Sequence, residues 1–506
     1  MRAVLLPLDD RPVTYGFPQL IARVAGVEAL VPPRSLFGSL NTSADIEGIT
    51  EWIQNTIAKT NPDVLLLCLD TLTYGGLINS RRSPDSAKSV MDRVAILQNW
   101  QKKTTGKLPI YVQSSIMRIS DNYDATEEKP YWARYGREIF AWSSQMHRLA
   151  KGDSLVAGSL ASSEARIPAD IRQDYQQTRV RNFQANQKLV ELVQQGVISR
   201  LTFSLDDSGQ TGLNILEKER LISMVQQANL TKKIATYAGA DEVLCALLAR
   251  WLIDSKSSMR TGPTALIRYS PEEGSNCLSR YEGQNIGETI SSQMQACGID
   301  VQKEDDRPNP VDFVVLVHTG GDAQGDHIQL PGHSDLRRMD TSRSIKRTLE
   351  LLQQSEHPCV LCDVAYANGA DPELIEELLQ RPELLAKLWA YSGWNTTGNS
   401  TGSALALAVA QWFTGTASDT NNNLKACLYV RLADDWAYQS KVRSTLNSAP
   451  SYEHLRDNMK PYLERISQAL SYKPDSLTLG FPWNRTFEVE IGLPTDSNSG
   501  SLSLAK

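Results

Sequence analysis

Long apolar runs are missing from this sequence. No stretch of 18 apolar residues occurs among its 506, so no ordinary membrane-spanning helix is expected. The N-terminal run Ala3–Leu8 is shorter than the apolar segment of a secretion signal, and Asp9-Asp10 follow it. A soluble, cytoplasmic protein without a membrane partner is the expectation. A basic excess is missing too: 52 Lys and Arg stand against 58 Asp and Glu, a net charge of −6. That argues against a nucleic-acid partner, which selects a basic face, but leaves room for one locally basic pocket. Histidine is scarce. Of six, only His318, His327 and His333 stand near one another, and His327-x5-His333 is no standard zinc spacing; no metal and no other cofactor is expected. The seven cysteines are too few and too irregular for a disulfide framework. Cys359 and Cys362 have the CxxC spacing, but they lie in the apolar run Pro358–Ala365. Side chains three apart on a strand leave from opposite faces, so both read as buried.

What the sequence does hold is an alternation of strand-like and helix-like segments. Apolar runs at Val4–Leu8, Val27–Val31, Asp63–Leu69, Leu108–Ser114, Arg200–Leu205 and Lys233–Tyr237 alternate with helical patterns such as Ile46–Lys59, Lys88–Lys102 and Leu216–Gln227. Strands separated by helices of this length pair in parallel through right-handed crossovers. The expected fold class is α/β. The N-terminal domain, residues 1–258, is either a (β/α) barrel-like unit or an open parallel sheet. After the polar stretch Asp254–Pro263 a second α/β domain, 259–493, follows, with strands expected at Thr264–Tyr269, Phe313–His318, Cys359–Cys362 and Lys425–Leu432. Residues 494–506, rich in Ser, Asn and Gly, read as a disordered tail.

The acidic residues fall where these strands end. Leu6-Pro7-Leu8 runs into Asp9-Asp10-Arg11, Leu65–Leu69 into Asp70 and Tyr74-Gly75-Gly76, and Leu201–Leu205 into Asp206-Asp207. Ile234–Ala238 runs into Asp241-Glu242, and Val360-Leu361 into Cys362-Asp363. In parallel α/β architectures the carboxyl ends of the strands gather on one face, where sites form. An Asp after a strand also caps the next helix, which suits Asp241 and Glu242. It suits Asp70 and Asp206-Asp207 less, because Gly-rich turns follow them. Clustered carboxylates serve glycoside hydrolysis or hold divalent cations.

Arg11, Arg81 and Arg118 also follow strand ends, either as acid partners or as contacts for a polar substrate. Tyr391–Gly402 combines Trp394, Asn395 and Asn399 with three glycines ahead of a helix expected at Ser403–Trp412. Trp394 could stack on a sugar ring and the Asn side chains could bond its hydroxyls. Asn368 opens a loop in which Asp371 caps the next helix. Phe481–Glu488, with Trp483 and Arg485, reads as an extended segment packed on the core or over a site.

Five motifs in order, LPLDDRP (Leu6–Pro12), DTLTYGG (Asp70–Gly76), GADEV (Gly239–Val243), DVAYANGAD (Asp363–Asp371) and GWNTTGNSTG (Gly393–Gly402), together resemble a bacterial family of unknown function over nearly the whole chain. Gly239-Ala240-Asp241-Glu242-Val243 is locally similar to the Gly-Gly-Asp-Glu-Val signature of retaining β-N-acetylhexosaminidases, which are barrel enzymes. That resemblance implies Glu242 as general acid and Asp241 as the group orienting the substrate's acetamido. Phe203-Ser204-Leu205-Asp206-Asp207 is similar to the paired-Asp strand of another substrate-assisted hexosaminidase family, which implies Asp206 and Asp207 instead. The expectation is therefore an enzyme, a hydrolase of glycosides with N-acetylhexosaminides as the implied class. Its catalytic candidates are Asp241, Glu242, Asp206 and Asp207. Its substrate-binding candidates are Asp9, Asp10, Arg11, Asp70, Tyr74, Arg118, Asp363, Asn368, Trp394, Asn395 and Asn399. Two other readings stay open: a metal-dependent hydrolase holding its ion on Asp9, Asp10, Asp70 and Asp363, and a non-catalytic receptor for a small polar metabolite. The sequence carries no signal of oligomeric state.

Overall fold

A computed structural model describes residues 1–104, 106–256, 262–302, 311–328, 339–415, 418–446 and 451–493. His333 and the 494–506 tail lie outside these residues, as does the middle of the Asp254–Pro263 stretch. The chain divides into two compact units. The first is Met1–Asp10, Leu30–Leu244 and Tyr281–Gly283; the second is Arg11–Ala29, Cys245–Arg280 and Gln284–Lys506.

The first sheet has six strands: β1 (Arg2–Leu6), β2 (Glu28–Leu30), β3 (Val64–Cys68), β4 (Ile110–Ile116), β5 (Arg200–Leu205) and β6 (Ile234–Ala238). Their order is β2-β1-β3-β4-β5-β6. The β1–β3, β3–β4, β4–β5 and β5–β6 ladders are all parallel. β3 is buried along its whole length, Val-Leu-Leu-Leu-Cys, because helices cover both faces of such a sheet. Its core joins Leu65, Leu67, Val112 and Phe203 to Ile49, Val94 and Leu189 from the helices.

The second sheet contains β7 (Thr264–Ser270), β8 (Asp300–Val301), β9 (Phe313–His318), β10 (Cys359–Asp363) and β11 (Leu388–Ser392). Its order is β11-β10-β9-β7-β8, and every ladder is parallel. Read from its second strand, this is the order 2-1-3-4-5 of the first sheet, which adds one further strand. Both are doubly wound open sheets, in which the chain moves outward from the first strand and then returns to its other side. The barrel-like alternative is therefore corrected to the open-sheet one: among the described residues β2 and β6 are the two edges of the first sheet. The side taken by each crossover decides between an open sheet and a barrel, and strand spacing does not encode it.

Three local expectations also change. Lys425–Leu432 is not a strand; it lies in the helix Ser418–Arg431, which runs on as a π-helical segment Leu432–Val442. Its middle, Ala426–Val430, is apolar without alternation, and such a run reads alike in a strand and in a buried helix. The strand at Leu388–Ser392 was missing from the sequence reading. The helix after the Trp/Asn/Gly stretch spans Thr397–Thr414, so it starts six residues earlier than expected. All seven cysteines are buried and unbridged.

Candidate functional site

In the first unit, the C-terminal ends of β3, β4 and β5 carry one continuous polar cluster. Asp70 follows β3 inside the short helix Leu69–Tyr74 and is fully buried. Its Oδ2 accepts from Ser115 N–H at 3.0 Å and from Gln113 Nε2 at 3.2 Å, both on β4. Gln113 Nε2 also donates to the Ser204 hydroxyl on β5 at 2.9 Å. Thr71 fastens this turn to the end of β1, its hydroxyl 2.7 Å from the carbonyls of Pro7 and Leu8. Burial raises the Asp70 carboxyl, with the Ser115 and Gln113 bonds and the Arg81 charge opposing. Asp70 Oδ1 has no hydrogen-bond partner among the described residues.

Arg81 links this pocket to the end of β5. It is bonded to Asp206 and stands 3.5 Å from Glu128. Arg118, just past β4, donates from Nη1 to Asp207 at 2.6 Å and from Nε to Glu128 at 2.8 Å. The same Nη1 lies 3.9 Å from Asp206. The two aspartates are therefore no further apart than these two distances laid end to end. Asp207 leaves 37% of its side-chain surface open, so a ligand can reach it. Its carboxyl is pushed up to about 7, by desolvation and by the charge of Asp206, with Arg118 pulling down. Solvent reaches the open third, so desolvation acts on it less fully than on Asp70. A carboxyl raised into the neutral range beside a second one held by arginine is the pattern of an acid with a charged helper.

The other residues expected in this unit are more enclosed. Asp241 and Glu242 are 8% and 0% exposed. The Glu242 carboxylate folds back over Gly239, where a Cβ would stand 2.2 Å from its Oε1. Tyr74 is buried under the Arg181 guanidinium, 5.1 Å from the ring centre, and its phenol is raised by burial. Asp9 is buried and Asp10 half-buried.

The second unit has its own buried cluster, at the ends of β9, β10 and β11. His318, the last residue of β9, meets Thr348 at 2.9 Å through Nδ1 and Asp371 at 3.0 Å through Nε2. Asp363, directly across the ladder from His318, accepts from Asp371 N–H at 2.8 Å and from the Tyr391 hydroxyl at 3.3 Å. Asp435, from the π-helical segment, accepts from Gly393 N–H at 2.7 Å and pairs with Arg431 at 3.3 Å. Arg431 also holds Asp434 at 2.8 Å. Burial lifts Asp363 to about 7, against the pull of His318, and Asp435 to about 8, against the pull of Arg431. Burial alone would lower His318; its bond to Asp371 and the nearby acids hold it up instead.

Asp371 caps its helix as expected, bonding Glu373 N–H at 3.0 Å. Arg11 bonds Glu488 at 3.1 Å and lies over Trp483. Trp394 is 3% exposed, which corrects the expected stacking platform: the ring is part of the core. The asparagines are engaged with one another. Asn399 donates to Asn395 at 2.9 Å, Asn395 to Asn368 at 2.8 Å, and Asn368 to Asp326 at 2.9 Å. Thr396 caps the helix, its hydroxyl accepting from Asn399 N–H at 3.4 Å.

Four of the residues expected to hold a metal divide between the units, Asp9, Asp10 and Asp70 in the first and Asp363 in the second. Among the described residues no group of three or more His, Cys, Asp or Glu is arranged to hold an ion. His327 is turned onto the Ala370 carbonyl at 2.9 Å, and burial lowers it to about 4. An open groove of about 610 Å³, lined by Asn61, Asp63, Lys107 and their neighbours, sits at the N-terminal ends of β3 and β4. Doubly wound sheets bind ligands at the other end. Gln113, Ser115, Ser204, Glu127, Glu128, Arg431, Asp434 and Asp435 are not among the site candidates that the sequence offers. The Arg431-x-x-Asp434-Asp435 spacing is a helical ion-pair signal, but the expected strand at Lys425–Leu432 obscured it.

Fold and site together define an α/β protein of two doubly wound units, with a carboxylate–arginine cluster at the strand ends of the first. The chain belongs to the family described as "Protein of unknown function (DUF4127)", whose model matches residues 3–492. Neither the curated proteins nor the solved structures give a match.

Proposed function

We propose that the protein is a hydrolase of glycosides, with N-acetylhexosaminides as its substrate class. Asp207 acts as general acid and Asp206 orients the acetamido group. The observation that carries this reading is the Asp206–Asp207 pair after β5. One carboxyl is lifted to about 7 and open to solvent, and the other is held by Arg81. Both carboxyls stand about Arg118 Nη1, Asp207 at 2.6 Å and Asp206 at 3.9 Å, which suits a pair acting on one sugar.

In the step so derived, Asp207 gives its proton to the glycosidic oxygen as the C1–O bond breaks. The acetamido carbonyl oxygen forms the new bond to C1, and Asp206 steadies the charge that grows on the amide nitrogen. Water then opens this ring, with the Asp207 carboxylate taking its proton, and both partners return to their starting states. Asp70 with Gln113, Ser115 and Ser204 lies buried behind the pair and faces it through the Arg81 charge. Asp241 and Glu242 take no part in the step, because their carboxyls are enclosed.

The test is turnover of a panel of aryl N-acetylhexosaminides by the wild type and by Asp206→Asn, Asp207→Asn and Glu242→Gln. The first two lose turnover by about 10²-fold or more, while Glu242→Gln retains most of it. Full activity in Asp207→Asn overturns the assignment.

A further inference from the structure

The loop bearing the Asp206–Asp207 pair is gripped by a segment distant in sequence. Asp207 has φ +33, on the left-handed side that a non-glycine residue occupies at a cost. Its neighbour Ser208 is bonded twice to Tyr281–Gly283. The Ser208 N–H donates to the Tyr281 carbonyl at 2.6 Å, and its hydroxyl to the Glu282 carbonyl at 3.0 Å, across 74 residues of sequence. Gly283 then lies against the loop backbone. A Cβ there would stand 2.4 Å from the Gly209 carbonyl oxygen and 3.0 Å from Gln210 N, and its φ is +62. Ser208 is 5% exposed, so water does not compete freely for these bonds. Tyr281 is itself left-handed, at φ +66.

We propose that Tyr281–Gly283 is a positioning strap which, by gripping Ser208 and Gly209, holds the Asp207 carboxyl beside Asp206 and out of bulk water, and so keeps it a proton donor against the pull of Arg118. Two hydrogen bonds and one backbone contact oppose relaxation of the left-handed turn. The charged groups facing Asp207 are Asp206, Arg118, Arg81 and Glu127, with Glu128 reaching it through Arg118. Loosening the loop moves Asp207 away from Asp206 and into water, and these two changes, the largest influences on the carboxyl, return it toward its ordinary range even as the opposing Arg118 contact weakens. The consequence for turnover rests on the glycoside-hydrolase reading; the consequence for titration does not.

The experiment is therefore read in two ways on the full chain. The first reading is titration of Asp207, taken as the pH-dependent difference in unfolding free energy between each protein and its Asp207→Asn counterpart. In the wild-type background that difference changes as pH rises from about 4 and levels off near 7. In Gly283→Ala this upper break falls by about one unit or more, and in Ser208→Ala, which keeps the backbone bond, by less. The second reading is hexosaminide turnover, where Gly283→Ala loses kcat by about tenfold or more with KM little changed. A folded Gly283→Ala that titrates as the wild type overturns the strap. If that variant does not fold, Ser208→Ala decides by the same titration, and an unmoved upper break overturns it. A wild type without turnover removes the glycosidase reading and leaves the titration result standing.

Discussion

Replacing Asp363 by asparagine tests the buried cluster of the second unit. Asp363 is fully buried, and its carboxyl is held at about 7, against an ordinary value of 3.8. The folded state therefore binds this proton more tightly than the unfolded chain. As pH rises from about 4 to 7 the unfolded chain releases it first, so stability falls through that window and levels off above it. A gap of roughly three units corresponds to about 4 kcal/mol at full extent. His318 acts in the same sense. Its affinity is raised by Asp371 and Asp363, so its contribution is complete at low pH and is lost as pH rises through its folded value. The Asp363→Asn side chain would keep an acceptor for Asp371 N–H and the Tyr391 hydroxyl but would have no proton to lose. Denaturant unfolding of wild type and Asp363→Asn at pH 5, 6, 7 and 8, following the transition of the second unit, measures the difference. The variant gains about 2–4 kcal/mol on the wild type between pH 5 and pH 8. Parallel stability curves would refute the claim that this carboxyl is buried with its proton.

Two further substitutions probe the same unit. Trp394→Ala empties a site that is 3% exposed and should cost about 3–5 kcal/mol in thermal or denaturant unfolding; a loss within 0.5 kcal/mol, roughly that of a surface change, would return Trp394 to the ligand-facing role. Gly393→Ala places a methyl 3.0 Å from the Tyr391 hydroxyl and 3.2 Å from both Ala370 Cα and the Asp363 Cβ. It should cost about 1–3 kcal/mol and loosen the Asp435 contact, so an unchanged unfolding midpoint would show that the backbone here gives way freely.

Much of the first sheet was legible because its strands read as short apolar runs, and β1, β3, β5 and β6 are each followed by an acid within a few residues. β5 was expected at Arg200–Leu205 and lies there. The gathering of Asp70 and Asp206-Asp207 on one sheet edge follows from parallel pairing alone. The partners that join these acids were not legible. Gln113, Ser115 and Ser204 are ordinary polar residues within strands, and only the β3–β4–β5 register brings them under Asp70. The shared topology of the two sheets was equally hidden, since strand order depends on which side each crossover takes. Gly393–Gly402 looked like an exposed ligand loop because it is rich in Gly and Asn. Its helix begins at Thr397, and close packing of that helix accounts for the small residues. Asp434 and Asp435 escaped notice because the spacing Arg431-x-x-Asp434-Asp435 signals an ion pair only on a helix, and the segment leading into it reads as a strand.

Binding of a thiazoline-type analogue of the cyclised N-acetylhexosamine intermediate bears most directly on the Asp206–Asp207 pair. Calorimetry and thermal unfolding of the wild type, Asp206→Asn, Asp207→Asn and Glu242→Gln would read it. The wild type should bind one analogue per chain and gain about 2.7 kcal/mol of stability at a hundredfold excess over Kd. Asp206→Asn should lose at least about tenfold in affinity, equivalent to about 1.4 kcal/mol, and Glu242→Gln should bind as the wild type does. No binding by the wild type, or binding that depends on Glu242 and not on Asp206, would contradict the assignment.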